Sequence, residues 1–218
     1  DIGQNKKKIH NKKASLFCIV IFYKKEKRIS NLGDNNTSKY KNMKNSLSST
    51  AAHSSLNIDD RNNIDLSGRR ITRISNIQFG KTKDGNLLDV THSGYETIFG
   101  VHHKRQIYLS NKKNEIRGRD EILNIGNIGS IPKNAYIRFH LYPGIELIKT
   151  RSGSIILNHQ KGYVWKMSSN NKNISIENSV MFTPNGPKPC KELNIILNLE
   201  KIRAYKSISC NWAFELQK

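Results

Sequence analysis

The chain has 218 residues, room for one large β domain or two small ones, and 36% hydrophobic content with a mean hydropathy of −0.63 describes a polar but globular protein. Lys and Arg outnumber Asp and Glu by 37 to 17, a net charge of +20, so the surface attracts polyanions: nucleic acid, anionic lipid or acidic polysaccharide. The excess lies in Lys, comes with abundant Asn and Ile as in AT-rich coding, and is spread along the whole chain, so charge alone selects none of these partners.

Cys18, Cys190 and Cys210 form no even set and no CxxC pair, which argues against a disulfide scaffold or a cysteine metal site. No apolar run approaches a membrane span and no signal peptide is visible, so no membrane partner is expected. The chain begins at Asp1 instead of Met and reads as a piece of something longer; its compartment is left open, bacterial periplasm or cytoplasm.

In chain order, residues 1–13 are a basic lead-in, and Ser15 to Tyr23 is a continuous apolar run that predicts a buried strand. Lys24 to Arg28 read as a charged turn and Ile29 to Leu32 as a returning strand ending at Gly33. Residues 34–49 lack periodicity and predict an exposed loop. Thr50 to Asp59 alternates, 59–70 is a polar loop, Ile71 to Phe79 a strand and Gly80 to Gly85 a turn. Further strands are expected at Glu115 to Leu123, bending at Gly118, and at Tyr136 to Tyr142, closed by Pro143-Gly144. Short strands follow at 145–150, 154–159, 163–167, 174–180, 193–199 and 212–216, with turn signals such as Pro184-Asn-Gly186-Pro187 between them. Many short strands with hardly any helical periodicity predict an all-β antiparallel sandwich, and no linker divides residues 1–218.

The stretch Asp89 to Ser110 holds three of the seven histidines and stands at the centre of this pattern. After Gly100 it alternates with period two, which places His103, Arg105, Ile107 and Leu109 on one face of a strand. A histidine and an arginine on the more apolar face need partners if they are buried. Either they meet such partners, or they sit at the wet end of the strand and are solvated.

No phosphate-binding loop, nucleophile elbow or HExxH segment is present, so an enzymatic reading rests on His, Arg and Tyr, residues that neutralise a carboxylate and move a proton. His53 lies between small residues, and no His-x-His or nearby carboxylate completes a metal set around it. Arg138 and His140 share a strand face with Tyr136 and Tyr142, which would suit an acidic sugar (rings as plates, the guanidinium as a fork) or equally the wet face of an antiparallel sheet. Aromatic residues are 8% of the chain and scattered, so a single-strand nucleic-acid groove is not indicated.

The ordered segments Asn31-Leu-Gly33, Ser49 to Leu56, His92-Ser-Gly94-Tyr95, Phe99-Gly100, His103-Lys-Arg105, Gly118-Arg-Asp120, Arg138 to Gly144 and Gly162-Tyr-Val-Trp165 together resemble the C-terminal β-sandwich of the heparinase II/III-like proteins of alphaproteobacteria, over essentially the whole chain. The resemblance implies a polysaccharide lyase that cleaves uronic-acid chains such as heparan sulfate or alginate by β-elimination. A base takes the C5 proton while the carboxylate is neutralised, and an acid protonates the leaving oxygen. It also implies an N-terminal α/α toroid, absent from this chain, with the substrate cleft between the two halves. His53 matches a metal-ligating histidine of the family. The other metal positions fall on Asn11 and Asn31, with His10 one step out of the catalytic register, so no tightly held divalent metal and no other cofactor is expected. His53 and His10 are the expected catalytic residues, and Arg105, His103, Arg138 and His140 the expected contacts to carboxylate or sulfate. A carbohydrate-binding domain that has lost the chemistry is the alternative.

Overall fold

The structure, a computed structural model, describes residues 13–33, 38–126, 129–160 and 162–217. Fourteen strands are defined there: β1 (Ile21–Tyr23), β2 (Glu26–Ser30), β3 (Leu56–Ile58), β4 (Ile74–Lys81), β5 (Gly85–Tyr95), β6 (Val101–Ser110), β7 (Glu115–Asn124), β8 (Asn134–Leu141), β9 (Ile145–Lys149), β10 (Ile155–His159), β11 (Val164–Ser169), β12 (Ile174–Thr183), β13 (Gly186–Asn198) and β14 (Ser207–Leu216). They form two antiparallel sheets. One has the order β1-β2-β8-β13-β12, with β3 sharing the β2 edge of β8; the other has the order β4-β5-β6-β7-β14-β11-β10-β9. Helix is confined to short pieces such as α1 (Lys44–Ser48) and α2 (Glu96–Phe99).

Period-two alternation builds the core between the sheets. Ile137, Phe139 and Leu141 of β8 and Leu193, Ile195 and Leu197 of β13 face Ile122 of β7 and Trp212 and Phe214 of β14. Phe139 makes edge contacts with both Trp212 and Phe214 at 5.0 Å between ring centres. Each such side chain contributes roughly 1.5–3 kcal/mol on burial. Strand β7 runs through Gly118 without a break. The glycine is required because a Cβ there would stand 2.0 Å from Cζ2 of Trp212 on the paired strand.

The sandwich expected from the sequence is present, with local corrections. Of Ser15 to Tyr23 only Ile21–Tyr23 is strand. Phe17 has φ 56° and turns the chain, while the Ala14 and Ile19 N–H groups bond the Ser48 and Ser54 carbonyls instead of a ladder. The expected turn at 24–28 shrinks to Lys24 and Lys25, whose positive φ values suit a two-residue hairpin with right-handed strand twist. Within the loop expected at 34–49, Ser38–Met43 and Lys44–Ser48 are helical turns that bury Leu47. Thr50–Ala52 is a 3-10 turn and the strand begins only at Leu56. The strand expected from Ile71 starts at Ile74 and runs to Lys81. Strand β13 begins seven residues before the expected Leu193.

Candidate functional site

The segment 13–20 and the segment 48–55 lie against each other and against the end of β2. Ser54 ties them together: its N–H donates to Asn31 Oδ1 (3.1 Å), its hydroxyl donates to the Ser30 carbonyl (2.6 Å), and its carbonyl accepts from Ile19 N–H (2.8 Å). The same hydroxyl accepts from the His140 N–H (2.9 Å), and Ser55 Oγ donates to the Leu16 carbonyl (2.6 Å). Small hydroxyl residues around His53 thus serve as fasteners between two irregular segments, which no helix or strand period would announce.

His53 is 2% exposed, and neither ring nitrogen has a hydrogen-bond partner among the described residues. Burial, then the charges of Lys13 and His140, lower its pKa to about 4, against a small opposing pull from the nearby Leu47 carbonyl. The ring is therefore neutral at physiological pH. It forms part of the wall of an open hollow of about 430 Å³ together with Lys13, Ser15, Cys18 and Asn31. Asn31 Nδ2 faces Cys18 Sγ at 3.9 Å, while its oxygen accepts from the Ser54 N–H. A second hollow of about 450 Å³ shares Lys13, Val20 and Asn31 with the first and adds Lys27 and Tyr142. A third shares Phe22, Lys27 and Tyr142 with the second. The three thus adjoin through shared walls, with Lys13, Lys25 and Lys27, Phe22 and Tyr142 among their lining and His53 in the first.

His140 and Arg138 stand behind His53 on the outer face of β8. His140 is wholly buried, its Nε2 hydrogen-bonded to the Ala51 carbonyl (2.9 Å) and its Nδ1 3.2 Å from Glu192 Oε2, ion-pair distance but off the line of a good hydrogen bond. Arg138 pairs closely with Glu192 Oε1 and donates Nε–H to Asn57 Oδ1 (2.6 Å). Burial would push Glu192 up, but His140 and Arg138 outweigh it and hold the carboxyl at about 2. The arginine reaches the structure already neutralised.

His103 and Arg105 are elsewhere. Both are fully buried on the inner face of β6, not solvated at a strand end. Asp120, paired directly with Arg105 in the β6–β7 ladder, is their shared partner. Its Oδ1 accepts from Arg105 Nε (2.6 Å) and His103 Nε2 (2.7 Å), and its Oδ2 from Trp212 Nε1 (2.7 Å). His103 Nδ1 meets His92 Nε2 at 3.1 Å, and His92 Nδ1 accepts from Gly94 N–H (3.0 Å). These bonds fit one assignment, two neutral rings each carrying its proton on Nε2. Burial lowers both imidazoles, His92 the further. Burial alone would raise Asp120, but Arg105 and His103 hold it well below the carboxylate range. Arg105 Nη1 donates to the Phe17 carbonyl (2.8 Å), and the Phe17 ring packs on His92. The network thus holds up the segment that walls the His53 hollow. Neither His103 nor Arg105 reaches a solvent-borne carboxylate from there.

The structure therefore brings together His53, Asn31, His140 and, through Glu192, Arg138, and it separates His103 and Arg105 from them. His10 and Asn11 lie outside the described residues. Sequence reasoning missed Glu192 and Lys13. Glu192 is opposite His140 in the β8–β13 ladder, a pairing hidden until the start of β13 is known. Lys13 is one lysine of a basic lead-in, and no local signal sets it apart.

No helix among the described residues is long and apolar enough to cross a membrane. Comparison with curated proteins gives no match. Among solved structures, the heparinase III product of the BT4657 gene aligns with a TM-score of 0.71 at 9% identity, covering 94% of this chain and 31% of that one. A form of it with methylated lysines gives 0.70 at 8% identity, covering 94% and 30%. These likenesses establish the sandwich fold, and this chain spans under a third of the length of the structures it matches. The family model described as heparinase II/III-like, C-terminal, matches residues 4–212, and on that match the chain belongs to the heparinase II/III-like family.

Proposed function

We propose that this chain is the sheet domain of a polysaccharide lyase that acts by β-elimination on a uronic-acid glycan, with an N-terminal toroid of the parent protein completing the cleft. The observation that carries the reading is His53: a neutral, buried imidazole with no well-formed hydrogen bond among the described residues, in the wall of a hollow that shares Lys13 and Asn31 with a second one lined by Lys27 and Tyr142. Lysines suit an acidic chain, an aromatic ring suits the face of a sugar, and a neutral imidazole is the form that accepts a proton. In this reading His53 takes the C5 proton, the C5–H electron pair becomes the C4=C5 double bond as the C4–O bond breaks, and the imidazolium returns the proton to the leaving oxygen. Because both ring nitrogens are shielded, the reading requires the segment 13–18 to yield when glycan binds.

His140 and Arg138 support the wall behind His53 through Glu192 and contribute less directly to the ligand, since Glu192 already engages both. Arg105 and His103 act through Phe17 as positioning residues. The shielding of His53 also favours a second reading, a domain that holds sugar without cutting it. The two are separated by incubating the parent protein with heparan sulfate, alginate and hyaluronan and following the ultraviolet absorbance of the unsaturated uronate. The lyase reading expects a rising signal on one glycan, reduced about a hundredfold or more in His53→Ala. A flat trace on all three glycans with binding retained would overturn it.

A further inference from the structure

Strand β6 has a hollow on each side. Ile107 lines the one that holds His53, while Gln106 and Tyr108 line a larger one that the elimination reading does not use. Strand register builds this second hollow. Tyr108, Arg117, Ala213 and Ser168 stand opposite one another across β6, β7, β14 and β11, and Gln106, Arg119 and Asn211 make the next row. Both rows lie on the outer face of the larger sheet, since the alternate residues Arg105, Asp120, Trp212 and Met167 are buried in the core. Long side chains at 108, 117 and 119 surround the short Ala213. The space between them is about 510 Å³, within the range of about 300–1,000 Å³ usual for small-ligand sites.

The walls are held by contacts within the sheet. The Tyr108 hydroxyl donates to the Asp84 carbonyl (2.8 Å), and its ring lies against Gly85, where a Cβ would stand 2.5 Å from Cε2. Gln106 Nε2 donates to Asp89 Oδ2 (2.6 Å), and Arg117 donates through Nε and Nη2 to the two oxygens of Glu115, each at 2.9 Å. Arg119 Nη2 reaches Glu121 Oε1 at 3.4 Å, a long contact that leaves the other N–H groups of a 40% exposed side chain for a ligand.

Charge separates this face from the rest of the chain. Across β5, β6, β7, β14 and β11 it carries Asp89, Glu115, Glu121 and Glu215 against Lys104, Arg117, Arg119 and Lys166, four of each sign on a chain of net charge +20. A polyanion gains little from a balanced face. A fixed guanidinium beside a fixed carboxylate instead offers donor and acceptor side by side, which is what the hydroxyls of a sugar require. The Ser168 hydroxyl and the Asn211 amide add neutral donors and acceptors, and Leu87 and the Tyr108 ring add apolar surface for the C–H face of a pyranose. We propose that this hollow binds a neutral, hydroxyl-rich oligosaccharide, on the opposite side of β6 from His53. The inference stands on register and charge balance and does not rest on the elimination reading.

The test titrates the chain in turn with cellohexaose, maltohexaose, mannohexaose and a heparan sulfate hexasaccharide, followed by backbone amide NMR. At least one neutral hexamer is expected to shift the amides of residues 106–108, 117–119 and 211–213 saturably. Its apparent Kd should stay constant as sodium chloride rises from about 0.05 to about 0.5 M, because no ion pair forms with the ligand. Arg119→Ala should raise that Kd about fivefold or more, and Arg119→Lys, which keeps the charge and loses the fork, should not restore it. Ala213→Leu fills the hollow and should abolish binding. Both positions are half-exposed on the outer face, so the variants should keep the melting temperature of the parent. Absence of saturable shifts with all three neutral hexamers would overturn the proposal. So would binding of the heparan sulfate hexasaccharide alone, weakened by salt and kept in Arg119→Lys, which is the behaviour of an anion site. His53→Ala should leave binding here unchanged, and its loss in that variant would place the sugar in the other hollow and count equally against the proposal. A flat elimination trace with this binding intact fails the lyase reading and leaves the site standing.

Discussion

Two regions of this molecule bury histidine to the same degree and treat it in opposite ways. In the β5–β7 network each ring nitrogen of His92 and His103 has a partner, and the run of bonds ends on Asp120, which also collects Arg105 and Trp212. At the edge of the sandwich neither nitrogen of His53 has one among the described residues. Leaving a buried donor or acceptor unpaired costs about 1–3 kcal/mol, so the first region stabilises the fold and the second is carried at the fold's expense. Imidazoles whose nitrogens are all paired mark architecture here, even with Arg105 Nη2 left open among them, and the imidazole left open beside a hollow marks a site.

The largest expected effect breaks the satisfied side. Asp120→Ala leaves the buried Arg105 charge and the Trp212 N–H without their acceptor, and the loss should be about 3–5 kcal/mol, measured by denaturant unfolding. A loss under about 1 kcal/mol would mean that the network is wetter than its geometry. Gly118→Ala attacks the same region by volume alone. Its new methyl would meet the Trp212 indole at 2.0 Å, and moving that ring also draws Nε1 away from Asp120. About 3 kcal/mol is expected, the upper end of ordinary overpacking, because one substitution incurs both costs.

The difference between the regions also explains what the sequence could show. Alternation in β6 correctly puts His103 and Arg105 on the apolar face, since period two is local information. That Asp120 would lie across from Arg105 depends on the β6–β7 register, which no single strand contains. The run from Ser15 to Tyr23 looked like a ladder strand because its apolar side chains fill space against the 48–55 segment, and hydrophobicity does not distinguish those two uses. The first half of β13 was hidden by Pro187 and Pro189. Strand β8 pairs with β13 only from Glu192 onward, so one side of residues 186–191 is an edge, where proline's missing N–H leaves no ladder bond unmade. Glu192 sits where that edge ends, and the partner of His140 and Arg138 went unseen with it.

The smaller effects sharpen the comparison from the unsatisfied side. His53 has its pKa lowered to about 4 in the fold, against 6.5 in an unfolded chain. The unfolded state therefore binds the proton first as the pH falls. The stabilisation is whole above 6.5 and is lost progressively down to about 4, an amount of roughly 3 kcal/mol. His92 and His103 move in the same direction, so the contribution is read as the difference between the parent and His53→Ala across that window. Glu192, held at about 2, loses its contribution only as the pH falls from 4.5 toward 2, mostly below the histidine window.

At neutral pH the two histidine truncations should diverge. His103→Ala removes two hydrogen bonds and opens a cavity between packed sheets, at a cost of about 3 kcal/mol. His53→Ala removes a ring that has no well-formed hydrogen bond among the described residues and borders an open hollow, so the lost packing is offset by the removal of two poorly paired polar atoms, and the net change should be about 1 kcal/mol or less. Thermal unfolding of both variants at one pH reads the contrast directly. If His53→Ala costs as much as His103→Ala, the imidazole has a partner that holds the fold together, and the case for a base kept free for substrate falls with it. A small change in stability combined with loss of elimination is the signature of a residue retained for chemistry.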